Sequence, residues 1–415
     1  MVLNSFKLKK VNTSILIGLA VIILILNVIT LSPPIFDIIN RQLLYIVELI
    51  AFIYCILVQP KFRINRILLL FCAICAISIW INSPSEQYQS SLRLFFFIML
   101  LCLVSPLVIN DNLQELRGIL WRYLLVLSQI VVVVSFVLFV FWIVRAEKPI
   151  SVRSYATIGI YGIRYPTLSA ITLLNSFYKL LSNENVKVQI KLAHLVLIVL
   201  SLSLILASGY RVAILAIFIA LIPIILFGIK QNKRLAIIMT IGFITISGLL
   251  FSMGAFSNVT KRKFEIALNH NSLTYSRDDL WQARWQEFKD SPIIGIGFAN
   301  TTHYSDVWDV TPDSRKRVSE PSSSWLSLLS NTGILGLLVF GLFDVLLLIS
   351  LIRYYKSNKK NRWESVFYFS FWLLFHIIAI FVGWLMYAGS FSCLMFWLLT
   401  SRINELNKLS KSSVE

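Results

Sequence analysis

An all-α, polytopic membrane protein with about 12 transmembrane helices and one large outer loop is the fold class this sequence predicts. Three observations predict it. The chain is 57% hydrophobic and only 14% charged over 415 residues, whereas a soluble domain carries roughly 25% charged residues. Apolar runs long enough to cross a hydrocarbon core of ~30 Å recur from end to end. Lys and Arg gather in the short loops between those runs, which is how a membrane chain marks its cytoplasmic face. A transmembrane barrel is excluded because its strands alternate apolar and polar residues, and these runs are apolar all round.

Taken in order, the runs place helices near 13–32, 42–59, 66–82, 92–109, 119–143, 165–181, 191–207, 211–229, 234–254, 332–352, 363–382 and 385–401. An even number returns both termini to one side. The clusters Lys61, Arg63, Arg66 and Lys230, Lys233, Arg234 and Arg353, Lys356, Lys359, Lys360, Arg362 put that side in the cytoplasm. The net charge of +18 is therefore topological, and a nucleic-acid partner is not expected. The chain then divides into nine helices over 1–254, an outer loop over 255–331, three helices over 332–402 and a tail over 403–415. The first run follows Lys7, Lys9 and Lys10 but is too long for a signal peptide and lacks a small-residue cleavage site. Cys55, Cys72, Cys75, Cys102 and Cys393 all lie inside apolar runs and read as small buried side chains. The CxxC of Cys72 and Cys75 has no second pair or His to complete a metal site.

The long loop balances nine basic residues with nine acidic ones, so it is not a basic tail. Its length suits a small cap over the bundle, and loops carry function more often than the elements they join. Within it the spacing predicts a helix near 277–290, opened by a capping box of Ser276 and Asp279 and closed before Pro292. Leu280, Trp281, Trp285 and Phe288 share one stripe of that helix. Arg277 and Arg284 fall in the same stripe, seven residues and so roughly 10 Å apart. They point either at an anionic ligand or, snorkelling, at lipid headgroups.

Three segments together resemble the bacterial O-antigen ligase and polymerase family, in its O-antigen polymerase-like, Wzy-type branch. They are SGYR at 208–211, SRDDLWQARWQEFKDSPIIGIGFAN at 276–300 and EPSSSWLSLLSNTGILGLLVFGLF at 320–343. The resemblance covers the order and placement of these pieces, and the N-terminal half matches in hydropathy alone. It implies an inner-membrane glycosyltransferase that takes a glycan from undecaprenyl diphosphate and transfers it to an acceptor hydroxyl at the outer leaflet. Such transfer needs no metal or cofactor, and fixed cations meet the charge on the departing diphosphate.

Carried over by position, Arg211 and Arg277 bind the donor diphosphate, with Arg284 supporting them. Arg164, in GIYGIRYPTLSA, resembles an entry segment of the family's sixth helix. Ligases of the family carry a His about eleven residues before the Gly that matches Gly333, and here Ser322 stands in its place. Because a serine is not basic by itself, Glu320 or His303 becomes the candidate proton acceptor beside Ser322. Loss of that His favours a repeat-unit polymerase for O-antigen, capsule or exopolysaccharide. A ligase acting on lipid A core or protein, and a flippase for the same lipid-linked glycan, are the alternatives. The expected partners are the undecaprenyl-linked oligosaccharide, the bilayer and, by family analogy, a chain-length regulator.

Overall fold

The computed structural model describes residues 12–29, 37–83, 89–145, 165–182, 187–253, 275–302, 323–359 and 361–412, together with residues 261, 265, 268 and 269. They form α1 (Thr13–Ile29), α2 (Asp37–Val58), α3 (Arg66–Asn82), α4 (Ser90–Val104), α5 (Asp111–Arg145), α6 (Tyr165–Ser182) and α7 (Val188–Ser208). There follow α8 (Arg211–Gln231), α9 (Lys233–Ser252), α10 (Tyr275–Asp290), α11 (Ser324–Ser357), α12 (Arg362–Phe381) and α13 (Phe391–Ser412). Strands β1 (Arg63–Ile64) and β2 (Val108–Ile109) make one short antiparallel pair.

Four helices, α3, α5, α9 and α11, start where a side chain satisfies orphan backbone N–H groups. Asn65 accepts from Ile67 and Leu68, Asn110 from Asn112 and Leu113, Asn232 from Leu235, and Ser323 from Leu326. At the β1–β2 end, the buried Arg117 donates to the carbonyls of Cys102, Leu103 and Val108. It closes the C-terminus of α4, whose last carbonyls have no helical partner.

Six helices are long and apolar enough to cross a membrane: Asp111–Phe141, Val188–Ser208, Arg211–Gln231, Lys233–Ser252, Ser324–Ser357 and Arg362–Phe381. Four more, Thr13–Asn27, Gln42–Val58, Arg66–Asn82 and Ser90–Val104, are apolar but shorter. A helix stands at each of the twelve expected places, yet α6 and α13 fall in neither group. Their position explains this. α6 packs against α5, α7, α8 and α12, and Thr167, Ser169, Thr172, Asn175 and Ser176 along it are buried. A helix wrapped in protein can carry polar side chains that lipid would penalise. Thr172 accordingly donates to Ser128 of α5, and His194 of α7 lies 3.3 Å from Ser176.

The remaining surface argues for a membrane independently of length. Trp80, Leu57 and Ile238 are 80%, 76% and 66% exposed, and they belong to a belt of large apolar side chains on α1–α5 and α7–α9. Water does not tolerate an apolar surface of that extent, whereas hydrocarbon does. Helices alone, with all backbone groups paired internally, suit that solvent. The chain is thus an all-α, multi-pass membrane protein.

Two boundaries differ from the sequence expectation. α11 begins at Ser324 rather than near 332, and it breaks at Gly333, whose φ of 62° is left-handed. The last span does not begin at 385: residues 382–390 are non-helical and α13 starts at Phe391. The stretch reads as helix because it is apolar, but its backbone is satisfied from a distance. Ser324 donates to the Val382 carbonyl and accepts from the N–H groups of Trp384 and Leu385. The Trp397 indole donates to the Leu385 carbonyl at 3.1 Å. Irregular backbone at membrane depth persists only where protein or a cavity surrounds it.

Candidate active site

The second and third segments singled out in the sequence meet at the break in α11. With Gly333 out of helical geometry, the carbonyls of Ser330 and Asn331 and the N–H groups of Ile334 and Leu335 are free to pair elsewhere. The stretch 292–297 supplies their partners: Ile296 N–H donates to Ser330 O at 2.8 Å and Gly297 N–H to Asn331 O at 3.3 Å. In return Ile334 N–H donates to Pro292 O at 2.9 Å and Leu335 N–H to Ile293 O at 3.3 Å. The approach is close enough that a Cβ at Gly295 would collide with the backbone of Asn331, and one at Gly333 with the backbone of Ile293. From α3, Ser78 donates to Asn331 O and Asn82 to Gly295 O. The Gly-x-Gly and the Asn-Thr-Gly are therefore two halves of one backbone seam.

That seam holds α10 against the bundle. The buried face of α10 is Leu280, Ala283, Arg284 and Glu287, at helical spacing. Arg284 is 2% exposed and donates to Glu287 Oε2 at 2.8 Å and to the Asn300 carbonyl at 3.1 Å. The other Glu287 oxygen accepts from the Thr301 hydroxyl and the Thr302 N–H. Arg284 thus faces inward as expected, but it spends its charge on Glu287 of its own helix. Trp285, expected in the same stripe, is 46% exposed, while Trp281 packs at a tilt against Phe381 of α12, ring centres 5.8 Å apart. The helix starts at Tyr275 and ends at Asp290, and the Ser276 side chain proposed to cap it lies outside the described residues.

SGYR is the turn from α7 to α8. Gly209, at φ 60°, caps α7 and returns its N–H to Leu206 O. Ser208 accepts from the Tyr210 N–H at 3.3 Å, and the chain then enters α8 at Arg211. Arg211 is the first residue of a 21-residue helix, so its guanidinium adds to the partial positive charge of that N-terminus. Arg277, at the start of α10, lies near enough for its charge to act on Arg211. Both are half-buried. The two arginines come from separate segments of the sequence.

A cavity of about 50 Å³ lies at the same end of the bundle, lined by Arg93, Arg284, Ser327, Asn331, Trp384 and Tyr387 among others. The Trp384 indole N–H is buried and has no hydrogen-bond partner among the described residues. Arg93, Ser327 and Tyr387 give the lining a cation and two hydroxyls, which suits an oxygen-rich ligand. Sequence reasoning missed Arg93 and Trp384. The signal for the first was a lone Arg opening the apolar run of α4, and for the second the pair Gly383 and Gly389 interrupting an expected helix.

Four expected site residues, Arg164, His303, Glu320 and Ser322, lie outside the described residues. Ser322 immediately precedes Ser323, the N-cap of α11, so its neighbours in sequence are the Ser324 and Ser327 that line the cavity. Among the described residues no group of three or more His, Cys, Asp and Glu could hold a metal ion.

Residues 196–341 match the O-antigen ligase family model. The match runs from α7 through α8, α9 and α10 to the upper part of α11, and it takes in the SGYR turn, α10 and the Gly333 break. The resemblance carried by the three segments is borne out by it. No curated protein matches the chain.

Proposed function

We propose that this chain is a polysaccharide repeat-unit polymerase, which moves a glycan from undecaprenyl diphosphate to a hydroxyl of another lipid-linked repeat unit at the outer leaflet. The observation that carries the reading is that the charge of Arg277 reaches Arg211, both half-buried and both within the stretch that matches the family model. A place where two guanidiniums feel each other's charge favours a bound dianion. Arg also matches phosphate oxygens in bidentate geometry, which Lys does not. Arg93 of α4 adds a cation at the cavity.

In the reaction the acceptor oxygen attacks the anomeric carbon from the face opposite the diphosphate. The bond from that carbon to the phosphate oxygen breaks, and its electron pair stays on the leaving diphosphate. Arg211, Arg277 and the N-terminus of α8 stabilise the charge that gathers there. The acceptor hydroxyl loses its proton to a nearby base, for which Glu320, beside Ser322, is the candidate. Both substrates bear polyprenyl tails, so the site opens sideways to the bilayer. In this reading the basic loops lie in the cytoplasm with both termini, and all twelve helices cross or line the membrane.

The test is reconstitution in liposomes with one defined undecaprenyl-diphosphate repeat unit. A ladder of lipid-linked oligomers with release of undecaprenyl diphosphate is expected. Arg211→Ala and Arg277→Ala should each lower the rate by about 100-fold while the thermal midpoint stays put. Full activity in either variant would sink the site assignment. The family model's description as a ligase favours a second reading, in which product forms only when a separate acceptor glycan is added. Substrate that crosses the bilayer unreacted would replace both with transport.

A further inference from the structure

A second cavity, of about 450 Å³, lies between α8, α11 and α12 at the end of the bundle away from Arg211. Its walls are apolar, with Leu226, Phe227, Leu351, Phe369 and Trp372 prominent, and Lys230 stands among its lining residues. Pro223 sits at its inner edge, inside α8. A proline within a helix removes an N–H donor and leaves the carbonyl one turn earlier without its helical partner. Leu226 and Ile352, both lining it, are 57% and 46% exposed. The cavity therefore communicates with the outward, lipid-facing surface.

We propose that this cavity is a binding site for an anionic phospholipid, with an acyl chain between α8, α11 and α12 and the headgroup at Lys230. The proposal stands apart from the glycosyl-transfer reading. Depth favours it first. Pro223 and Lys230 lie about 18 Å and 29 Å along α8 from Arg211, so the cavity serves the leaflet opposite the arginine pair. Charge favours it second. Lys230 is exposed, Lys233 and Arg234 follow across the Asn232 turn, and Arg353 and Lys356 are exposed on α11. Arg362 lies over the Tyr355 ring at 5.1 Å and donates to the Tyr355 carbonyl, and Tyr355 lines the cavity. Glu364, a carboxylate of α12 at this end, accepts from the Tyr354 hydroxyl at 3.0 Å, and the exposed basic residues near Lys230 outnumber it. Basic pockets between membrane helices on the cytoplasmic side select anionic headgroups in this way. The wall is also preformed, since the Trp372 indole donates to Asp344 at 2.9 Å.

The experiment is native mass spectrometry of the purified full chain, titrated with phosphatidylglycerol and with phosphatidylcholine of the same acyl chains. Phosphatidylglycerol should bind first. Lys230→Glu, an exposed change that leaves the fold alone, should cut that preference by at least fivefold, the equivalent of ~1 kcal/mol per basic residue. Val366→Phe, which fills the cavity, should lower occupancy by both lipids. Equal binding of the two lipids to the unaltered chain overturns the proposal, as does a preference that survives Lys230→Glu. Undecaprenyl phosphate is the third titrant. If Val366→Phe abolishes its binding and spares phosphatidylglycerol, the cavity belongs to a polyprenyl tail and the proposal fails.

Discussion

Arg284 and Arg277 sit two turns apart on one helix, are the same residue type, and have opposite fates. Arg284 is buried against Glu287, and Arg277 is half-buried beside Arg211. Their substitutions should therefore fail in different assays. Arg284→Met leaves the Glu287 carboxylate buried without its cation and should destabilise the protein by about 3–5 kcal/mol, whereas Arg284→Met combined with Glu287→Met should recover most of that. Thermal unfolding in detergent reads both, and equal destabilisation by single and double variants would contradict the pairing. Arg277→Met should leave the unfolding curve in place and remove activity. The cavity makes a smaller claim: Arg93→Gln, at its lining, loses the charge, so KM should rise about tenfold, the worth of one hydrogen bond to a charged group, with kcat little changed. The sequence placed both arginines in one stripe correctly. It could not separate them, because the difference lies in Glu287, Asn300 and Ser330, and only the folded loop brings the last two to Arg284.

Among the elements, the joint between residues 292–297 and the broken α11 decides how the molecule is put together. Gly333→Ala should cost ~1–2 kcal/mol for left-handed backbone alone, and more for the collision with the Ile293 backbone. Gly341→Ala, further along α11, meets nothing within 4 Å and should be the milder change. Comparing the two thermal midpoints checks this, and equal shifts would mean the contact is not the cause. The glycines were legible as a Gly-x-Gly and as a turn before a membrane helix. Their mutual contact was not, since two positive-φ residues 38 positions apart leave no periodic trace. The irregular stretch 382–390 was hidden for a related reason: an apolar sequence reads as helix unless one knows that Ser324 and Trp397 wait to satisfy it. His376 of α12 meets Asp344 of α11 at 2.9 Å, a polar contact between helices.

For the whole molecule, hydropathy located a helix at each of twelve places because the solvent of most is hydrocarbon. It overstated how alike they are, since α6 and α13 are enclosed by the others and obey interior rules instead. A charge on the outer belt should carry the cost of lipid: Ile238→Arg, on α9, should weaken insertion by about 2.5–3.5 kcal/mol if the position lies near mid-membrane. Membrane-integrated yield measures it, and an unchanged yield would place that face against water or protein.

The seam also bears on how such a protein can change. Its bonds run from main chain to main chain, and main-chain groups are the same whatever side chains they carry. Apart from Gly295 and Gly333, the positions flanking it can vary without unfastening α10 from the bundle. A lineage facing new sugars could then redraw the cavity at Ser327 or Tyr387 one substitution at a time, while the frame that holds Arg211 near Arg277 stays in register. Diversity of substrate and constancy of charge placement are, on this architecture, separately heritable.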